Sequence, residues 1–590
     1  MKKKIVKRLC SMVLASAMVM SMAACGSSEE QPAQNSAESA STSSETAGES
    51  SAAAEAEVKE PVRISLYPAD ANISSGIISG YKGDIFAEHG IELEVWAYSD
   101  EKTNAMLASG DLPDIMYVSK DNLDVMIEEG MLLNLEEYLA DMPNASHERM
   151  AEALNYMREY RSAGTGELYG LPLTVGDNTT KDAWSDSTER NALKLRWDIY
   201  EEIGAPEIND FYDLIDVMEQ MMEAHPTDEN GNPFYGTVLN NGSDTTHWAC
   251  MTMWYRWQGY QESQLQYMLE MNMVDGTLSS ILDENSLYYQ GLKWYNEVYR
   301  RGLMDPDSIN NDRATQKAKV DSGYAMVPSG YLPGWATSYY EYLIPDTNVY
   351  YNYQSAYGDS KKIIAINANT ENVEACLELL DMWCNPDTVF EILNGPEGDF
   401  WYADENGNAF LTEDNYAYIK ENGVGGERTY PSTGEDATLW NTAFCVNTGV
   451  PTTYGDGNGG FRPQRTSSWK EVQEITTNND TFAAWQKTTG YNNWQEWLAA
   501  ENAYASTSPL KQVESFLSQP DDSMQLIVDA MKTVVVDASW QMVYCESEEE
   551  FEKIWAKMVD DCIGLGAEEL IAWRLADFEN ATAIRDSLAK

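Results

Sequence analysis

Trp184 stands in a polar loop after Leu171-Pro-Leu, among Asp177, Asn178, Lys181 and Asp182, and Trp335 ends the turn-rich run Pro328-Ser-Gly-Tyr-Leu-Pro-Gly-Trp. Trp254 and Trp257, three apart with Arg256 between them, share a face if that stretch is helical. Phe400, Trp401 and Tyr402 follow Gly-Pro-Glu-Gly-Asp. Aromatic faces beside short polar side chains can hold a polar organic ligand, with the ring against an apolar face while Asp, Asn, Lys or Arg direct hydrogen bonds. The same tryptophans can equally pack a core, which is the reading for Trp494 and Trp497. Bond-making chemistry has less of a foothold. The chain has no G-x-S-x-G, no H-E-x-x-H and no P-loop. Its four histidines, His89, His147, His225 and His247, form no ligand-like pair, which argues against zinc. With 96 carboxylates in the chain, an acid and base pair could arise anywhere, so none singles itself out.

The elements that would position such loops are legible in the periodicity. Val62 to Tyr67 alternates as a strand, and Gly80 to His89 carries Tyr81, Ile85, Phe86 and His89 at helical spacing, with Gly90 placed to end the helix. Ile91 to Trp96 alternates again, Asp100 to Ser109 reads as a helix, and Ile115 to Val118 is a short apolar run. Strand, helix, strand, helix, strand predicts a parallel sheet with crossover helices, and ligands of such sheets gather beyond the carboxyl ends of the strands. Those ends offer Asp70 and Asn72 after the first strand, Tyr98 and Ser99 after the second, and Ser119, Lys120 and Asp121 after the third.

The amino terminus points to export. Lys2, Lys3, Lys4, Lys7 and Arg8 precede an apolar run from Leu9 to Met22, shorter than the roughly 20 residues of a spanning helix, so residues 1–24 read as a signal peptide. Met22-Ala23-Ala24-Cys25 resembles the bacterial lipobox, with Met at its first position, and that resemblance implies lipidation of Cys25, such as by palmitate. Residues 25–60 lack aromatics and nearly all large aliphatics, so they are expected to form a disordered tether. The net charge of −57 excludes nucleic acid as a partner. Eighteen Trp and 35 Tyr require a folded bulk. Cys376 and Cys384, eight apart on a helical pattern, would stand about 12 Å apart and cannot bridge; most cysteines are expected to be buried hydrophobes.

Ala108-Ser-Gly-Asp-Leu-Pro-Asp114-Ile115, then Gly130 and Leu132-Leu-Asn-Leu-Glu-Glu-Tyr138, resembles the signature of extracellular solute-binding proteins of the family 1 type, the lipoprotein receptors of ABC importers, usually for sugars. Tyr169-Gly-Leu-Pro172, Leu195-Arg-Trp-Asp198, Arg301-Gly-Leu-Met-Asp-Pro306, Ser322-Gly-Tyr-Ala-Met326 and Gly395-Pro-Glu-Gly398 follow in the family's order. Residues from about 425 to 519 lie outside the resemblance. It implies an α/β, two-lobed periplasmic-binding-protein-like fold (type II) with a hinge between the lobes. Lobe one is expected at 61–180 plus 320–368 and lobe two at 181–319 plus 369–590. The closing helix, with Ser547 and Glu550 as a capping box and Phe551, Trp555, Met558, Val559 and Cys562 at helical spacing, should dock on lobe two.

The resemblance further implies a carbohydrate ligand, an oligosaccharide by preference, ABC-transporter permease subunits as partners, and a monomer held at the extracellular face of the cell membrane by lipid on Cys25. Asp70, Asn72, Ser119, Lys120, Asp121, Trp184, Trp254, Trp257, Trp335 and Trp401 are the expected ligand-binding residues, Trp335 because such proteins tend to present an aromatic there. The expectation is a receptor and no enzyme; the alternatives are a secreted glycan-active hydrolase and a sensory or adhesive surface lipoprotein. No cofactor or metal is expected. The pentapeptide DENGN occurs at Asp228–Asn232 and again at Asp404–Asn408, where Asp404, Asn406, Gly407 and Glu413 fall at calcium-loop positions 3, 5, 6 and 12. Tyr402 at position 1 cannot ligate as a carboxylate does, so turns are expected at both copies, with calcium as the alternative.

Overall fold

A computed structural model describes residues 61–588 apart from 69–73, 174, 176–190, 242–249, 330–336, 352–356, 359–362, 423–427, 436, 438–452, 456–460, 464–468 and 507. The expected signal peptide and tether, with Cys25, lie outside the described residues.

The first strand, Val62–Tyr67, pairs in parallel with Ile91–Val95 on one side and Ile115–Val118 on the other. The crossover helices are Gly80–Glu88 and Asp100–Ser109, with the bounds the periodicity predicts to within a residue. Local chemistry accounts for the precision. The Ser99 hydroxyl accepts the Lys102 amide at the start of the second helix, and Gly110, at φ 74°, closes its end in a left-handed conformation that disfavours a side chain. A strand from much later in the chain, Ile363–Ile366, runs antiparallel between Ile115–Val118 and Leu171–Pro172. Every residue of Ile115–Val118 and of Ile363–Ile366 is buried, as strands covered on both faces require. Gly170 permits the closest approach, because a Cβ there would meet the Ile363 Cγ2 at 2.6 Å and the Ile364 carbonyl at 2.8 Å.

Asp114, of the Leu-Pro-Asp-Ile motif, ties this sheet together. Its Oδ2 accepts the Ser65 amide at 2.8 Å and the Ser65 hydroxyl at 2.7 Å, and the Thr370 hydroxyl donates to its Oδ1. Burial alone would raise the carboxyl's pKa, but the bonds from Thr370 and Ser65 outweigh that and hold it below the ordinary carboxylate value.

Two large cores hold most of the buried apolar residues. The first gathers residues from Ile64 to Val175 and from Ile363 to Ile392 around the sheet. The second gathers Leu193 to Ile344 with Phe482 to Leu570, built from the helices Phe211–Ala224, Leu287–Arg300, Asp522–Tyr544 and Glu548–Leu565. Two expected boundaries change. The helix Val373–Trp383 buries Cys376, Leu379, Leu380 and Trp383 in the first core, although the sequence reading places residues 369–590 in the second lobe. Met326, Val327 and Tyr340, expected with the first lobe, belong to the second core. The reason is that Leu193–Arg196 draws Tyr339–Tyr342 into an antiparallel pair, with Lys194 and Glu341 meeting as an ion pair at 2.9 Å, each side chain only 9% exposed.

In the second core the Asn296 Nδ2 donates to the carbonyls of Met542, Val543 and Cys545, answering acceptors that the helix Asp522–Tyr544 leaves open at its end. The helix Glu548–Leu565 packs here: the Ser547 hydroxyl accepts the Glu550 amide, and Phe551, Trp555, Met558 and Cys562 are buried. Cys250, Cys376, Cys384, Cys545 and Cys562 are free and buried. Among the described residues no helix is long and apolar enough to cross a membrane.

Candidate functional site

The carboxyl end of the sheet presents tyrosines held by hydroxyls. Tyr67 donates to the Ser99 carbonyl at 2.9 Å and meets the Thr103 hydroxyl at 2.7 Å, and its ring lies 5.6 Å from that of Tyr98. Lys102 places its Nζ 4.7 Å from the Trp96 ring centroid and 5.5 Å from that of Tyr67. Trp96 and Tyr98 are partly exposed, so this end of the sheet offers aromatic surface with a cation on it. A hydrogen bond to the Asp100 carboxylate pushes the Tyr98 hydroxyl up to about 12, leaving it a donor at neutral pH. Sequence reasoning marked Tyr98 as a strand end but passed over Trp96 and Lys102, since only the fold reveals that a helix residue reaches back over the strand.

The expected binding residues part company. Asp70, Asn72, Trp184 and Trp335 lie outside the described residues. Ser119 occupies the N-cap position of the helix Lys120–Glu128, its carbonyl accepting the Asn122 and Leu123 amides, and Asp121 contributes backbone to that helix. Lys120 does not point at open space: its Nζ donates to the Leu517 carbonyl at 3.1 Å. It joins Tyr156 and Arg161, both of which donate to the Ser515 carbonyl at 2.7 Å, in holding the segment 515–518 against the first core. Phe516 packs against the first core and against a small cluster of Met271, Met273, Leu510, Val513, Leu517 and Phe578.

Trp254 and Trp257 require a correction. Both do lie at the helix Met251–Arg256 and its cap, but they are 3% and 2% exposed in the second core. The Trp254 ring is 4.8 Å from Phe211 and 5.4 Å from Trp294, its Nε1 donates to the Leu287 carbonyl, and Gly291 leaves it room. Spacing of three brings two rings to one face whether that face meets ligand or core, and here helix packing takes it.

Trp401 is also buried, in a cluster with Phe390, Leu411 and Trp469, where its Nε1 donates to the Gly395 carbonyl at 2.8 Å. Its ring nevertheless lines a shallow crevice, with room for about one water, bounded also by Phe400, Asn415, Arg428, Tyr430 and Trp469. The Asp399 carboxylate holds the far loop through the Ser432 amide and hydroxyl, and Glu435 accepts the Tyr81 amide at 2.8 Å, which brings this region against the first crossover helix. Arg428 and Trp469 escaped sequence reasoning because they fall in the stretch that follows no family pattern.

Both DENGN copies are turns. Asp228 accepts the Asn230 and Asn232 amides and Asp404 those of Asn406 and Asn408, so each carboxylate is committed to its own loop. No group of three or more candidate metal-ligating side chains occurs among the described residues.

No protein-family model matches the chain, and no curated protein matches it. Solved structures do. An HMO-binding ABC-transporter associated solute-binding protein from Bifidobacterium longum infantis superposes at TM-score 0.58 with 12% identity, over 89% of this chain and 99% of that one. The S. pneumoniae ABC-transporter substrate-binding protein FusA, in complex with kestose, gives 0.55 with 15% identity over 88% and 100%. The N-glycan transport solute-binding protein NgtS from Streptococcus pneumoniae gives 0.50 with 13% over 89% and 99%. Identities at this level speak for the fold, and the fold of this chain is that of the two-lobed, periplasmic-binding-protein-like solute-binding proteins.

Proposed function

We propose that this chain is a membrane-tethered extracellular receptor that captures a carbohydrate, an oligosaccharide by preference, between its two cores and delivers it to an ABC-transporter permease. The observation that carries the reading is the fold shared across 89% of this chain with binding proteins named for HMO and for N-glycan transport, and across 88% with one holding kestose. The aromatic and cationic surface at the carboxyl end of the sheet supports it.

In this mechanism the two cores are the two lobes, and the protein works by stoichiometric capture without altering its ligand. An open form predominates when no sugar is present. A sugar that touches both lobes favours the closed form by its differential affinity, and the permease recognises that form. Lipid on Cys25 keeps the receptor, acting as a monomer, near the permease, and Asp70, Asn72, Ser119, Trp184 and Trp335 contact the solute. The test follows intrinsic tryptophan fluorescence and melting temperature across a panel of sugars, oligosaccharides and peptides, with Trp335→Ala in parallel. A saturable shift with one glycan class, no consumption of ligand, and roughly 1–3 kcal/mol weaker binding in the variant are expected. Silence across the sugars, or a response to peptides alone, would refute the carbohydrate reading, and product in the mixture would make the chain a hydrolase.

A further inference from the structure

Residues 508–518 belong to the stretch that follows no family pattern, and the structure fastens them to both cores. The approach to them is Tyr504–Ser506, which pairs in parallel with Val349–Tyr351, on the part of the chain that leads from the second core back to the first. Just before it, Ala503 is buried with Ala192 and Leu343, the chain neighbours of Leu193 and Ile344 in the second core.

The first core grips the end of this segment through its backbone. The Tyr156 hydroxyl and the Arg161 guanidinium each donate to the Ser515 carbonyl at 2.7 Å, and the Lys120 ammonium donates to the Leu517 carbonyl at 3.1 Å. Burial pushes the Tyr156 hydroxyl up to about 12, so it stays a donor at neutral pH. Phe516 stands edge to face with Tyr160, Tyr156 and Tyr357, at centroid distances of 4.9, 5.5 and 5.7 Å. Lys120 follows the strand Ile115–Val118 and Tyr357 precedes Ile363–Ile366, and in the sheet Ile363 is the register partner of both Val118 and Pro172. The grip therefore lies at the end of the sheet where the chain passes to and from the second core.

The other side of the same segment belongs to the second core. The Ser518 amide and hydroxyl donate to the Asp577 carboxylate at 2.9 and 2.7 Å, and Arg574 donates to the Ser518 carbonyl at 3.0 Å and to Gln264 at 2.8 Å. Arg574 and Asp577 form an ion pair at 2.9 Å, 6% and 8% exposed, on the helix Ala567–Leu588, whose Ala567 and Leu570 are buried in the second core. Leu510, Val513 and Leu517 pack on Phe578 of that helix. Three successive turns of backbone are thus held from opposite directions. Hydrogen bonds weaken steeply with misalignment, so a bridge fastened to two bodies is unstrained at only one angle between them.

We propose that residues 508–518 are a strap that braces the joint between the two lobes and sets the angle at which they rest. Rotation of one lobe against the other has to strain or release the grip on Ser515 and Leu517, and a ligand that favours another angle has to supply that difference in free energy. The strap is a property of the two-lobed fold, whatever the ligand.

The test uses the full chain without ligand. Dyes at Val125 on a first-lobe helix and Tyr212 on a second-lobe helix, 59% and 54% exposed, report lobe separation by single-molecule energy transfer. Hydrogen exchange at the amides of Phe516, Leu517 and Ser518 reports whether the strap is held. Tyr156→Phe combined with Arg161→Met removes both donors to the Ser515 carbonyl and is expected to speed that exchange about 10- to 100-fold and to broaden the distribution of lobe separations. Phe516→Ala leaves those donors in place, should broaden it as well, and serves if the arginine variant fails to fold. Arg574→Met loosens the strap from the second lobe and should give the same broadening, with no further increase when combined with the first-lobe variant, since a strap released at one end no longer braces. Faster exchange with an unchanged distribution would overturn the brace and leave ordinary packing. Unchanged exchange would overturn the grip itself, and broadening that adds up across the two ends would mean general loosening of the fold. A panel of glycans that all fail to bind would overturn the receptor reading and leave these outcomes untouched.

Discussion

Replacing Asp114 by Ala removes the acceptor of three hydrogen bonds at once: the Ser65 amide, the Ser65 hydroxyl and the Thr370 hydroxyl. Each bond to an ionised acceptor contributes roughly 1.5–3 kcal/mol, but the three do not add. The two hydroxyls can rotate to other acceptors and the site is half-buried, so water recovers part of the loss. The Ser65 amide, in the middle of a strand, has no such freedom. We expect Asp114→Ala to destabilise the first core by about 3 kcal/mol and Asp114→Asn, which keeps one acceptor and the shape, by about 1–2 kcal/mol. Urea melts of both variants, with hydrogen exchange on Val62–Tyr67 as the local readout, measure this. The pH dependence is a second check. Because the folded carboxyl titrates below its unfolded value of about 3.9, its contribution is complete above that pH and is lost as pH falls through the lower, folded value. The gap between the native chain and Asp114→Asn should therefore shrink only in that acid range. An Ala variant within about 0.5 kcal/mol of the native chain, or a gap already closing near neutral pH, would refute the clamp.

Glu341→Ala should destabilise the second core by about 3 kcal/mol by removing the carboxylate that meets the Lys194 ammonium, whereas Lys194→Met with Glu341→Leu should come within about 1 kcal/mol of the native chain; thermal melts of the two variants compare them. Asn296→Leu exposes none of its own polarity but leaves the carbonyls of Met542, Val543 and Cys545 without their shared donor, and a loss of about 2 kcal/mol in a urea titration is expected.

The βαβ units around Ile64 were legible because period-2 strands, a serine cap and glycine at the helix ends all pointed to the same boundaries. The Leu-Pro-Asp-Ile motif was legible as a signature but not as a clamp, since nothing local to Asp114 names Ser65 or Thr370 as its partners. The lobe boundaries were lost for a related reason. The apolar stripe of Val373–Trp383 says that the helix is buried and is silent about which core buries it. Trp254 and Trp257 show the same degeneracy at single residues, because indoles suited to stacking on a ligand are equally suited to packing on Phe211 and Trp294. Arg428 carried no periodic signal at all, and its packing on Phe400 is visible only once its neighbours are in place.

The late strand Ile363–Ile366 also sets the order in which the protein can be made. A chain made amino end first presents Val62–Tyr67, Ile91–Val95 and Ile115–Val118 long before the strand that must cover the Ile115–Val118 edge emerges. Until then four consecutive buried residues form an unpaired apolar edge, a template for pairing with other chains. Synthesis of this protein therefore contains an interval in which the first core is nearly complete but unsealed, before residues 363–366 arrive.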